Sequence, residues 1–145
     1  YATDNPRSPS ITLADARIVL GEPGTLRGWR RIHRAVSSQL VRIECLRTID
    51  RARIRLQLPG GEVAERRAGV LEVLEGFDVV PLNPAVLRRA ADPFPTTLGS
   101  LDALHLATAL HVRETIADLQ LATHDRELAN AARAVGFQVL GMPAR

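Results

Sequence analysis

Three carboxylates stand inside or just beyond stretches that are otherwise almost wholly apolar: Glu44 in "LVRIECL", Asp102 in "SLDALHLA" and Asp125, two residues after "LQLAT". Burying a charge costs several kcal/mol unless it is paired or bound, so each acid needs a physical reason. Two have an ordinary one. Asp102 falls in the first turn of a predicted helix and Asp125 just ahead of another, where a carboxylate caps the helix or meets its dipole for about 1 kcal/mol. Glu44 has no such excuse, because it sits mid-helix on a mostly apolar face. Acids gathered at one edge raise one another's pKa unless a cation neutralises them. Oxygen donors without thiols suit Mg²⁺ or Mn²⁺. Such an ion polarises a phosphodiester oxygen and activates a water for attack on phosphorus.

The elements that must position these acids alternate between short β-like runs and helical stretches, the pattern of an α/β fold with a mainly parallel sheet. "RAVSS" (34–38) predicts a strand feeding a helix that starts near Ser38 and runs through "QLVRIECLRTIDRARI". "GGEVAERRAGVLEVLEG" predicts a helix closed by Gly76, and "FDVVPL" the next strand. Asn83 reads as an N-cap with Pro84 at the first helical position, and Ser100 as the N-cap of a helix reaching about Arg113. "LQLAT" (119–123) is a strand, "DRELANAARAVG" a helix ended by Gly136, and "FQVLG" a last strand. At the N-terminus, "YATD" is briefly β-like. Thr12 and Asp15 then have the spacing of a capping box for a helix up to Leu20, while a second parse makes "ITLAD" the strand. In open α/β sheets ligands bind at the carboxyl edge, where strands end and the following helices begin, and that places Asp125 at such an edge.

A chain of 145 residues is read as one domain that buries roughly two-thirds of the surface its unfolded form would expose. The single cysteine, Cys45, rules out an internal disulfide framework and is expected to be an inert core thiol in a reducing cytoplasm. No apolar run approaches the ~20 residues that span a bilayer, and no charged-then-apolar signal pattern opens the chain. All 19 basic residues are arginine. Nine of them, Arg27, Arg30, Arg31, Arg34, Arg42, Arg47, Arg51, Arg53 and Arg55, lie between positions 27 and 55 against only Glu44 and Asp50. Arginine grips phosphate bidentately, so nucleic acid is an expected partner, with a solvated helix face as the plainer alternative. Aromatic residues are too few for a stacking platform that relies on rows of rings. His105 and His124 read first as helix-face and surface residues near the acids, and Trp29 as core or interface.

With these residues in hand the chain resembles the PIN-domain ribonucleases, and within them the VapC toxins of bacterial toxin–antitoxin pairs. The resemblance runs from about Leu20 to Leu140 and is carried by "LGEPG", "SSQLVRIECLRTIDRARI", "LDALHLATAL" and "ATHDRELANAARAVGFQVL" in this order and spacing. It implies a PIN-like three-layer α/β fold with a central, mainly parallel sheet flanked by helices. It further implies four acids around one or two Mg²⁺ or Mn²⁺ ions, hydrolysis of RNA, a homodimer and a VapB-like antitoxin that neutralises the toxin. Glu44, Asp102 and Asp125 match three of the acids, Thr123 a polar position beside them, and Arg30, Arg31, Arg34 and Arg47 would guide the RNA backbone. The first acid departs from the family pattern. An ungapped count puts Ile11 there, which cannot ligate a metal. "YATD" offers Asp4, the preferred choice, and Asp15 is the third option. A catalytically impaired PIN domain that binds RNA or protein without cutting is the rival reading, and a DNA-directed nuclease a second.

Overall fold

A computed structural model describes residues 11–14 and 34–142. Five parallel strands form one sheet among the described residues: β1 (Ile11–Ala14), β2 (Arg34–Ser38), β3 (Phe77–Val80), β4 (Gln120–Ala122) and β5 (Val139–Leu140), in the order β3-β2-β1-β4-β5. The helices are α1 (Leu40–Leu56), α2 (Gly60–Glu75), α3 (Pro84–Ala91), α4 (Ser100–Arg113) and α5 (Arg126–Ala134). The expected α/β architecture with a parallel central sheet is the one observed.

Side chains alternate across a strand, so the register defines two faces. Leu13 pairs with Val36 and Leu121, and this row packs against α4 and α5 through Leu106, Ala109, Leu128, Ala131 and Ala132. Ala14 and Ala122 lie on the other face with Phe77 and Leu140. On that side a groove is lined jointly by Val41 of α1, Leu71 and Leu74 of α2, and Phe77 and Val79 of β3. The pair α1 and α2 closes over its own cluster of Val41, Cys45, Ile49, Val70 and Leu74. Cys45 is buried there, as expected of a core thiol.

Local chemistry fixes most boundaries. Asn83 caps α3 by accepting the Val86 amide at 2.9 Å, with Pro84 in the first turn. At the end of α5, Gly136 takes φ +91°, a left-handed conformation that favours glycine. There its amide donates to Arg133 O and that of Phe137 to Ala132 O at 2.9 Å, turning the chain back towards β5. Two expectations need correction. Thr12 does not cap a helix: it is a buried residue inside β1, because the alternating "ITLA" run finds a partner strand on each side. Ser100 is the first residue of α4 rather than its cap, and Gly99 holds the cap position without a side-chain bond. The "YATD" strand and the helix up to Leu20 lie outside the described residues.

Candidate active site

Connections from β1 to β2 and β3 run to one side of the sheet, and β4 and β5 lie on the other, so the strand order reverses next to β1. At such a switch point the loops leaving neighbouring strands diverge and open a crevice beyond the carboxyl ends. Here those ends are Ala14, Ser38 and Ala122, and the sequence-predicted acids follow two of the three strands.

β2 ends in two buried serines. Ser37 Oγ donates to Ala14 O at 2.7 Å and ties β2 to β1. Ser38 Oγ accepts the Leu40 amide at 3.2 Å and so ends the strand and opens α1. Because α1 starts at Leu40, Glu44 stands about one turn into it, closer to the sheet edge than a helix from Ser38 would put it. Its side chain is 21% exposed, and Oε1 accepts a hydrogen bond from His105 Nε2 at 2.5 Å. His105 Nδ1 lies 3.2 Å from Ser38 Oγ. Asp102 precedes His105 by three positions on α4, so the helix face that meets Glu44 also carries Asp102, in the first turn where the helix dipole favours a carboxylate.

The third acid follows β4. Thr123 is buried and its Oγ1 accepts the Asp125 amide at 2.9 Å, while Asp125 Oδ1 accepts the Leu128 amide at 3.0 Å. Asp125 is therefore the N-cap of α5. Capping does not exhaust it, since an ionised carboxylate offers about four acceptor positions. Among the described residues, no group of three His, Cys, Asp or Glu side chains is gathered closely enough to hold a metal ion. Asp4, Ile11's side chain and Asp15, the three options for the first acid, lie outside the described residues.

The arginines fall into two groups. Arg30 and Arg31 are outside the described residues. Arg34 pairs with Asp78, and Arg47 with Asp50 at 3.1 Å, both on the surface. Asp50 also accepts both Arg53 Nε and Nη2, and these bonds, ahead of the surrounding positive charge, hold its carboxyl below the usual carboxylate range. Arg51 and Arg55 stand one and two turns beyond Arg47, with no ion pair among the described residues. His124 Nδ1 faces Gly141 O at 3.2 Å, in keeping with a structural role, and Trp29 lies outside the described residues.

The sequence puts His105 near the acids and Ser38 at a helix start, but the hydrogen bonds that join both to Glu44 arise only in the fold. The signal was present in the Asp102-to-His105 spacing of one helical turn, but the partner Glu44 is 61 positions away in the chain.

Comparison with known proteins gives the family. The PIN domain profile matches residues 15–134. Ribonuclease VapC47 of Mycobacterium tuberculosis (strain CDC 1551 / Oshkosh) is 34% identical over 133 residues, covering 87% of this chain and 90% of that protein. Ribonuclease VapC46 of M. tuberculosis H37Rv is 34% identical over 120 residues, covering 82% and 83%. Among solved structures, PAE2754 from Pyrobaculum aerophilum superposes with a TM-score of 0.61 at 24% identity, over 90% of this chain and 83% of that one. A toxin–antitoxin complex from Klebsiella pneumoniae gives a TM-score of 0.56 at 16% identity, over 81% and 90%. The profile covers most of the chain and both ribonucleases are matched over more than four-fifths of their length, so the chain belongs to the PIN-domain family, among its VapC-type members.

Proposed function

We propose that the protein is a VapC-type toxin: a metal-dependent endoribonuclease that hydrolyses RNA phosphodiester bonds and is held inactive by a cognate antitoxin. The observation that carries this reading is the placing of acids at the switch point of the sheet, in a chain 34% identical to two proteins named as ribonucleases. Glu44, Asp102 and Asp125 are the donors of choice for Mg²⁺ or Mn²⁺. They are hard oxygen ligands, and Mg²⁺ needs only one or two carboxylates because it keeps several of its waters.

The described residues do not complete a three-donor nest on their own, so the reading calls for one more acid. We assign it to Asp15 rather than Asp4. Asp15 is next in the chain after Ala14, the last residue of the central strand, and the PIN profile match begins at that position. Leu13 is in register with Val36 and Leu121, and two residues beyond those partners stand Ser38 and Thr123, the residues that hold the Glu44 and Asp125 arms. Position 15 is the matching step in sequence, two residues after Leu13.

When bound, the cation supplies Lewis-acid polarisation of the phosphodiester and offsets its charge. The chain's own part is orientation. His105 holds Glu44, Thr123 holds the Asp125 turn, and the Leu13 row anchors α4 beneath Asp102. Arg34 and Arg47, with Arg30 and Arg31, attract the RNA backbone. Exposed ion pairs are weak because solvent screens them, so phosphate readily replaces Asp78 and Asp50 as their partner. Action on RNA inside the cytoplasm as a homodimer completes the proposal. No helix among the described residues is long and apolar enough to cross a membrane.

The test is cleavage of a structured RNA by purified protein with Mn²⁺, beside Asp102→Asn, Asp15→Asn and Asp4→Asn. Asp102→Asn and Asp15→Asn are expected to lose about 100-fold or more in rate, equivalent to about 3 kcal/mol of transition-state stabilisation, and Asp4→Asn little. Equal cleavage by Asp102→Asn, or none by the parent, overturns the enzymatic reading in favour of a binding module. Competition by DNA that matches unlabelled RNA would redirect it to DNA.

A further inference from the structure

His105 is 1% exposed, and its two ring nitrogens face two different elements. Nε2 donates to Glu44 Oε1 on α1 at 2.5 Å, and Nδ1 lies 3.2 Å from Ser38 Oγ at the end of β2. An ionised carboxylate only accepts, so Nε2 carries a hydrogen. Ser38 Oγ already accepts the Leu40 amide, and its hydroxyl hydrogen is the donor available to Nδ1. The neutral Nε2–H tautomer therefore satisfies amide, hydroxyl, ring and carboxylate in one chain of bonds. A glutamate side chain otherwise keeps its rotamer freedom, which any ligand that fixes it must overcome. At 21% exposure Glu44 is open enough to use that freedom unless something holds it.

We propose that His105 is a positioning residue for Glu44: the Ser38–His105–Glu44 chain sets the carboxylate in its ligating orientation before the cation arrives. The inference rests on the reading above that Glu44 is a metal ligand. Hydrogen-bonded partners behind a ligand commonly govern 10- to 100-fold of metal affinity. A purely structural role, fastening α4 to β2 and α1, would affect folding but not cation affinity in folded protein.

The experiment is calorimetric titration with Mn²⁺, without RNA, of the parent, Glu44→Gln, His105→Gln, His105→Asn and Ser38→Ala, each checked for a cooperative melt. Glutamine carries its amide N–H near the position of Nε2 and reaches Glu44, whereas asparagine stops near Nδ1 and reaches only Ser38. His105→Asn is expected to weaken Mn²⁺ about 10- to 100-fold and His105→Gln to recover most of it. With RNA and saturating Mn²⁺, His105→Asn should lower kcat with KM little changed. Equal Mn²⁺ affinity of the Asn and Gln variants overturns the proposal, whether both match the parent or both fall. Ser38→Ala, which releases the ring but leaves His105 and Glu44 in place, is expected to lose severalfold. Parent-like affinity there overturns the proposal even where a His105 variant does not fold. Glu44→Gln binding Mn²⁺ like the parent would instead remove Glu44 from the site, a different failure.

Discussion

The Asp125 carboxylate accepts the Leu128 amide at 3.0 Å, so the capping role expected of an acid at that position is present alongside any role in binding a cation. The two can be separated. Asparagine also caps, so Asp125→Asn is expected to keep the melting temperature within a degree or two and to abolish most RNA cleavage. Asp125→Ala loses the cap as well and should cost about 1 kcal/mol of stability in a denaturant melt. Asp125 and Asp102 were legible in the sequence because their surroundings are local: an apolar strand or helix and a boundary within four residues. Glu44 was legible only as an anomaly. Its explanation, His105, comes from a helix 61 positions away, and no local pattern announces a pairing of that range.

At the scale of elements, α1 carries both the candidate site and the basic field, and Asp50 divides its cations. By holding Arg47 and Arg53 it leaves Arg42, Arg51 and Arg55 as the cations of the helix without an ion pair among the described residues. Asp50→Asn is therefore expected to tighten binding of single-stranded RNA severalfold at low salt. It should also steepen the fall of affinity with salt, since each added phosphate contact contributes to that slope. An unchanged slope would place these arginines outside the RNA path. The Asp50 carboxyl is held below its usual range by its bonds to Arg53, so its ionised form is favoured in the folded state. Its contribution to stability is present above the unfolded carboxylate value and is lost as pH falls through the lowered folded one. Melting temperatures of the parent and Asp50→Asn should converge in acid, and the difference, at an exposed site, should shrink in high salt.

Across the whole molecule, the strand order reverses beside β1, and in open α/β sheets such a switch point is where ligands bind, beyond strand ends that here are Ala14, Ser38 and Ala122. Strand–helix alternation made the parallel sheet legible, and β2 falls on "RAVSS" as expected. The N-terminal strand was harder to read. "ITLAD" contains a Thr and an Asp at capping-box spacing, and only pairing to strands 23 and 108 positions away makes it the centre of the sheet. Local chemistry and long-range pairing competed there, and pairing prevailed. Leu106, fully buried between β1 and α5, anchors the helix that presents Asp102. Leu106→Ala is expected to cost about 2–5 kcal/mol and to lower the melting temperature several degrees, measured by calorimetry.

The central claim is that acids from separate elements form one divalent-cation site at this edge. Anomalous diffraction at the manganese edge from crystals soaked in Mn²⁺ tests it most directly. The predicted result is a peak in direct or one-water contact with the carboxylates of Asp102 and Asp125, with Glu44 and Asp15 on its other sides. A peak remote from Asp102 and Asp125, or none at saturating Mn²⁺, would contradict it.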